Sequence, residues 1–114
     1  MFKKNNKYVT RGINEEVDIR LQIIIWSMLD KMNDEENIEL DYLQVFNIRK
    51  EGHKVVIDES QEVYEYSRTY EIELEDIQID DKIKIYLVDN GVEGSTMLFP
   101  WEYWWDGGEN EKIK

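Results

Sequence analysis

A single segment carries the hydrophobic repeat of an α-helix, which limits the fold to one main helix. From Leu21 onwards, apolar residues recur at offsets of 3, 4, 7, 8 and 11, so they fall on one stripe of a helix. The stripe consists of Leu21, Ile24, Ile25, Met28, Leu29 and Met32. Asn14, or Asp18 with a later start, is a suitable N-terminal cap, and Asn33 is a suitable stop.

After this segment the hydrophobic repeat changes to every second residue, which is the pattern of half-buried β-strands. The predicted strands comprise residues 8–10, 40–48, 54–57, 64–75, 82–88 and 95–99. Residues 58–61 are predicted to form a turn, because four polar residues follow one another there. We therefore predict an α+β fold, with one main amphipathic helix packed on a mainly antiparallel β-sheet of about five or six strands.

Length and composition indicate one domain. The chain has 114 residues, of which 41% are hydrophobic and none is cysteine, so we expect one core without disulfides or thiolate metal sites. Residues 1–106 are expected to form this domain, and residues 107–114 a flexible acidic and polar tail. The most apolar stretch, residues 23–29, is too short to span a membrane, and no signal peptide is visible. The expected location is the cytoplasm, with no membrane partner.

The chain is strongly acidic. It has 26 acidic and 14 basic side chains and a formal net charge of −12, which argues against direct binding to nucleic acid, because phosphates need a basic surface. The acidity is concentrated between Asp58 and Asp81, where ten acidic residues accompany one base, Arg68.

Part of this acidity is predicted to form a row on one strand. Glutamates in the predicted strand 64–75 share its polar face, and alternate positions are ~6.6–7 Å apart. The row consists of Glu65, Glu71, Glu73 and Glu75. Because this spacing is close to twice the phosphate repeat of one DNA strand, the row is a candidate interaction surface that mimics nucleic acid. The alternative is an ordinary solvated sheet face that also protects an edge.

A second candidate surface lies on the opposite side of the predicted helix. It consists of Ile19, Ile23 and Trp26, which point away from the main stripe. One helix in a two-layer domain cannot bury both sides, so this surface needs another cover. That cover is either the C-terminal tryptophans, a second copy of the chain or another protein, and we favour a homodimer. The tryptophans concerned are Trp101, Trp104 and Trp105.

The sequence offers little for catalysis. The only histidine, His53, lies in a predicted turn, and a catalytic triad needs its base held between a nucleophile and an orienting group. We expect no catalytic residues, no cofactor and no metal site. The alternative from this class is a carboxylate- and Mg²⁺-dependent hydrolase or nuclease. It rests on the sequence Asp80-Asp81-Lys82 with Lys84, a short match that arises easily in a highly charged chain.

Several short strings resemble one protein family. They are Tyr8-Val9-Thr10-Arg11-Gly12, Leu43-Gln44-Val45-Phe46, Ser95-Thr96-Met97-Leu98 and the pair Glu102-Tyr103. They are similar to a small acidic domain-of-unknown-function family first described from staphylococci and found in Gram-positive bacteria and their mobile elements. The resemblance covers roughly residues 7–103 and includes no catalytic motif, so it implies a fold and no chemistry.

These observations favour a cytoplasmic protein-interaction or regulatory module without catalysis, whose partner is another protein. The sharper alternative is a nucleic-acid mimic that blocks a DNA- or RNA-binding protein of the host. A mobile-element origin, which only the family resemblance implies, would suit that alternative.

Overall fold

Six strands form one sheet, and one long helix packs against one of its faces. The computed structural model describes residues 2, 6–35, 38–79 and 82–103. The elements are β1 (Lys7–Val9), α1 (Arg11–Glu16), α2 (Ile19–Asp34), β2 (Leu43–Glu51), β3 (Lys54–Gln61), β4 (Tyr66–Glu73), β5 (Lys82–Asp89), a 3₁₀ turn (Gly91–Glu93), β6 (Ser95–Leu98) and α3 (Pro100–Tyr103). The predicted α+β class, with one main helix on a mostly antiparallel sheet, is confirmed.

The strand order is β1-β6-β5-β2-β3-β4. Every neighbouring pair is antiparallel except β1 and β6, which run parallel. The sheet therefore has two edges of different length, because β1 has three residues and β4 has eight.

The helix stripe is buried as predicted. Five of its residues are buried and Ile24 is partly buried against the same core. The buried members are Leu21, Ile25, Met28, Leu29 and Met32. They share one cluster with Phe46 of β2, Ile57 of β3 and Leu87 of β5, which places the core between α2 and the centre of the sheet. Among the described residues, no helix is long and apolar enough to span a membrane.

The start of α2 is set by Asp18, the later of the two predicted caps. Its side chain accepts a hydrogen bond from the Arg20 backbone N–H at 2.8 Å, and the helix ends at Asp34. A separate short helix, α1, precedes it and was not predicted. Thr10 caps α1 by accepting from the Ile13 N–H at 3.2 Å. α1 buries one residue only, Ile13, so it leaves no apolar repeat in the sequence.

The predicted turn at residues 58–61 is wrong. These residues continue β3, whose ladder with β4 runs from Lys54 opposite Glu73 to Gln61 opposite Tyr66. The polar side chains Glu59 and Gln61 face the core, so the alternation of the strand continues in residues whose type suggests a turn. The real turn follows β3 and includes Glu65, which is exposed.

Gly94 allows β1 to join the sheet. Its φ is +114°, and a Cβ at this position would overlap the backbone oxygen of Asn6, which accepts a hydrogen bond from the Ser95 N–H at 2.8 Å. Gly52 also has a positive φ, +64°, but a Cβ there would have no atom within 4 Å.

We predict that Gly94→Ala lowers the free energy of unfolding by about 3 kcal/mol, because it adds backbone strain and a steric clash. Gly52→Ala, the matched control, should lose only about 1 kcal/mol from its left-handed backbone. Urea denaturation of both variants measures the difference, and equal losses would contradict a close approach at Gly94.

Candidate interaction surfaces

The acidic row on β4 is shorter than predicted. Within β4 the predicted alternation is confirmed, since Glu71 and Glu73 are exposed on the face away from the core. Glu65 lies in the turn before β4, and Glu75 lies in the turn after it. The structure therefore places two of the four predicted glutamates side by side on a strand, and the other two flank its ends.

The outer face of the sheet next to this row is a mixed charge network. Lys54 of β3 lies opposite Glu73, and its Nζ is 3.4 Å from Glu71 Oε1. Four residues further along β3, Asp58 accepts from the Thr69 hydroxyl at 2.6 Å and from Arg49 at 2.8 Å. These donors hold the pKa of Asp58 below its ordinary value, with the Thr69 hydroxyl as the largest cause. The row is thus partly neutralised.

On the inner face of β4, Arg68 connects the sheet to the end of α2. Its guanidinium donates to Glu35 at 3.0 Å and to the Tyr70 hydroxyl at 2.9 Å. It also lies over the rings of Tyr66 and Tyr70, 5.3 and 5.9 Å from their centroids. The Arg68 hydrogen bond lowers the pKa of Glu35, the residue after α2. Arg68 is thereby held against its own strand.

A buried carboxyl group lies beside Arg68. Glu59 of β3 is opposite Arg68 and is 0% exposed. Neither of its carboxylate oxygens has a hydrogen-bond partner among the described residues, and the same holds for Gln44 Oε1 and the Tyr66 hydroxyl. Burial raises the pKa of Glu59 to about 7, although the charge of Arg68 acts in the opposite direction. A protonated carboxyl avoids the cost of a buried charge without a partner.

We predict that this carboxyl makes the protein less stable as the pH rises. The folded pKa is about 7 and the ordinary value is 4.5, so the folded state binds the proton more tightly. The contribution of Glu59 to the free energy of unfolding should fall by about 3 kcal/mol as the pH rises from below 4.5 to above 7. Glu59→Gln should remove this fall and be the more stable protein at pH values above 7.

Urea denaturation across this pH range measures the effect. Glu65→Gln removes an exposed carboxyl and is the control, which should retain the wild-type pH dependence. A Glu59→Gln profile parallel to that of the wild type would show that Glu59 has the same pKa in the folded and unfolded states, which would contradict the prediction.

The outer side of α2 presents the second predicted surface. Ile19 and Ile23 are 60% and 58% exposed. Trp26, one turn further along, is partly buried against the core. Lys7 Nζ is 5.7 Å from the Trp26 ring centroid and 3.6 Å from Asp30. The three predicted residues therefore form a graded surface, open at Ile19 and Ile23 and partly covered at Trp26.

Among the described residues, the C-terminal aromatics do not cover the two isoleucines. Trp101 stacks on Phe99, with ring centroids 4.4 Å apart, and is itself 57% exposed. Trp104 and Trp105, together with the tail 107–114, lie outside the described residues.

Residues from the family-like strings meet at a structural joint. Glu102 accepts hydrogen bonds from the Thr10 hydroxyl and from the Phe99 N–H, each at 2.8 Å. A Cβ on Gly12 would lie 2.9 Å from Glu102 Oε2. The joint connects α3 to the cap of α1 and to the end of β6, and its residues were not among the predicted site residues. Its hydrogen bonds hold these three elements together.

A second contact of α3 lies on the outer face of the sheet. The ring of Tyr103 packs edge-on against Tyr86 of β5, with centroids 5.6 Å apart. Its hydroxyl is 3.5 Å from that of Tyr42. Burial, followed by the Tyr42 contact, raises the pKa of Tyr103 to about 12, so this phenol stays neutral near pH 7.

The described residues bring no catalytic group together. His53 is exposed in the turn between β2 and β3. It lines a groove together with charged residues from β2, β3 and the end of β4. No group of three metal-ligating side chains occurs within the described ranges. Asp80 and Asp81 lie outside those ranges, and Lys82 and Lys84 are exposed on β5.

The fold defines the class as a two-layer α+β protein with a six-stranded sheet. Within that class, the chain belongs to the family described as staphylococcal proteins of unknown function (DUF960), whose sequence pattern matches residues 6–102. None of the curated proteins is detectably similar to it.

The chain is also similar to a protein of unknown function from Enterococcus faecalis, which has a crystal structure. The two chains are 26% identical, with a TM-score of 0.67, and the match covers 90% of this chain and 97% of that one. The similarity supports the fold and assigns no activity.

Proposed function

We propose that the protein acts as an interaction module without catalysis, binding another protein through the outer side of α2. The observation that carries this proposal is the exposure of Ile19 and Ile23, each more than half open to solvent. They lie one helical turn apart on a helix whose opposite side is buried in the core.

The spacing of this surface suits docking into a groove. Ile19, Ile23 and Trp26 occupy positions i, i+4 and i+7, which is the anchor spacing of an amphipathic helix that binds a partner. Polar groups border the anchors, since Asp18 and Arg20 form an ion pair of 2.8 Å at the start of the helix. An apolar centre with a polar rim is the usual composition of a protein interface. A second copy of the chain is the first partner we propose.

Such a module regulates its partner by occupying part of the partner's surface. This mode of regulation requires no catalysis. The cytoplasm is the proposed location. A nucleic-acid mimic is the second candidate, and Glu71 and Glu73 on one exposed face favour it. The bond from Lys54 to Glu71 makes it the weaker of the two. The carboxylate-dependent hydrolase or nuclease has no support from the described residues.

We predict that Ile19→Glu/Ile23→Glu abolishes self-association and leaves the monomer folded. Both positions are exposed, so the free energy of unfolding of the monomer should change by no more than about 0.5 kcal/mol. Sedimentation velocity at high protein concentration measures the association, and circular dichroism checks the fold.

Asn14→Glu/Asn47→Glu is the matched control, because it adds the same two charges at exposed positions outside this surface. It should sediment like the wild type. A second experiment detects a partner other than a second copy. A photo-crosslinking amino acid replaces Ile23 in one strain and, as a control, Asn47 in another. A wild type that is monomeric and shows no crosslinked protein specific to position 23 would refute the proposed function.

A further inference from the structure

The edge of the sheet at β4 is open for strand pairing. β4 has one neighbour in the sheet, β3, to which it pairs at eight consecutive positions. Within the described residues, the backbone groups on its other side have no strand beside them. We propose that this edge binds an extended peptide segment that alternates apolar and basic residues, which joins the sheet as an added strand. The proposal uses a different surface from the one on α2, so it goes beyond the proposed function.

β4 lacks most of the features by which natural proteins block an exposed edge. A short strand, a proline, a bulge, exposed charges or an inward-pointing charge usually serves that purpose. Of these, β4 has the exposed charges of Glu71 and Glu73. β4 is eight residues long, contains no proline and pairs with β3 without interruption. Its one inward charge, Arg68, is bonded to Glu35 and Tyr70. The backbone therefore presents a regular edge.

The inner side of this edge favours apolar residues in the ligand. Tyr66, Tyr70 and Ile72 face the core but remain only partly buried. A strand placed beside β4 would bring every second side chain next to these residues. Apolar side chains at those positions would complete their burial.

The outer side of the edge favours basic residues in the ligand. Glu71 and Glu73 are exposed there, and residues 62–76 together carry six acidic side chains and one basic side chain. Lysine or arginine opposite the glutamates would form favourable cross-strand pairs. A second copy of β4 would instead bring two acidic segments together, so charge complementarity favours a basic segment of another protein.

The test uses the full chain and a labelled synthetic peptide of alternating lysine and valine that matches β4 in length. Fluorescence polarisation measures binding, and a peptide of equal composition with its lysines and valines in separate blocks is the first control. We expect the alternating peptide to bind about tenfold more tightly, because only it presents one apolar and one basic side. Equal binding of the two would overturn the proposal and indicate unspecific charge attraction.

Backbone methylation then tests strand addition directly. In an added strand, alternate N–H groups of the peptide point towards β4 and the others point away. N-methylation of one alternate set should weaken binding by about tenfold or more, and methylation of the other set should change it by less than about twofold. The same effect from both sets would exclude pairing with the edge.

Variants of the protein locate the site and separate this proposal from the previous one. Glu71→Gln/Glu73→Gln should weaken peptide binding more than Glu16→Gln/Glu93→Gln, which removes two exposed charges elsewhere. Ile19→Glu/Ile23→Glu should bind the peptide like the wild type. Equal losses from both glutamine pairs, or a dimer paired through β4 that the peptide does not dissociate, would refute a basic segment at this edge.

Discussion

Burial of one stripe of α2 against the centre of the sheet is the interaction on which the other features depend. A helix is about 10–12 Å wide with its side chains, whereas six strands about 4.8 Å apart span roughly twice that width. The helix therefore covers the central strands, where Phe46 and Leu87 are fully buried. The strands at the edge are covered less completely, and Tyr66 and Tyr70 of β4 remain partly buried. The same packing fixes the rotation of α2, which turns Ile19 outward.

The core becomes polar towards one end, and this polarity organises the connection from α2 to β2. Gln61 on the inner face of β3 donates to the Glu39 carbonyl at 2.8 Å and accepts from the Asp41 N–H at 3.0 Å. Gln44 of β2 donates to the Asp41 carbonyl at 3.0 Å. These amides satisfy backbone groups of residues 39 and 41, which belong to no helix or strand. Glu59, next to them, is left without such a partner.

Hydrophobic periodicity predicted much of the fold, because regular alternation of apolar residues reports directly on burial. It identified the stripe of α2 and the faces of β4. It failed where side-chain type and position disagree, as at Glu59 and Gln61, which are polar but face the core. The row of glutamates was overestimated for a related reason, since Glu65 lies in the turn that precedes β4 and no change of periodicity marks the start of the strand.

The candidate surfaces, like the fold, could be predicted from the sequence only in part. The helical phase predicted correctly that Ile19 and Ile23 lie away from the core stripe. It did not predict that Trp26 is partly buried or that Lys7 lies near its ring, because that contact joins residues distant in sequence. The sequence also could not predict which strands lie at the edges of the sheet, since strand order depends on which strands pair across the whole chain.

The parallel pairing of β1 with β6 has a consequence for how the chain folds during synthesis. Lys7 lies opposite Ser95, so the first strand finds its partner only after all the other strands of the sheet have been made. Pairs this distant in sequence form slowly, because a long loop must close before the contact is made. The core of α2 with β2, β3 and β5 is complete earlier along the chain. On the ribosome, β1 can therefore join the sheet only after β6 has been made. A chain terminated before β6 would lack the strand with which β1 pairs.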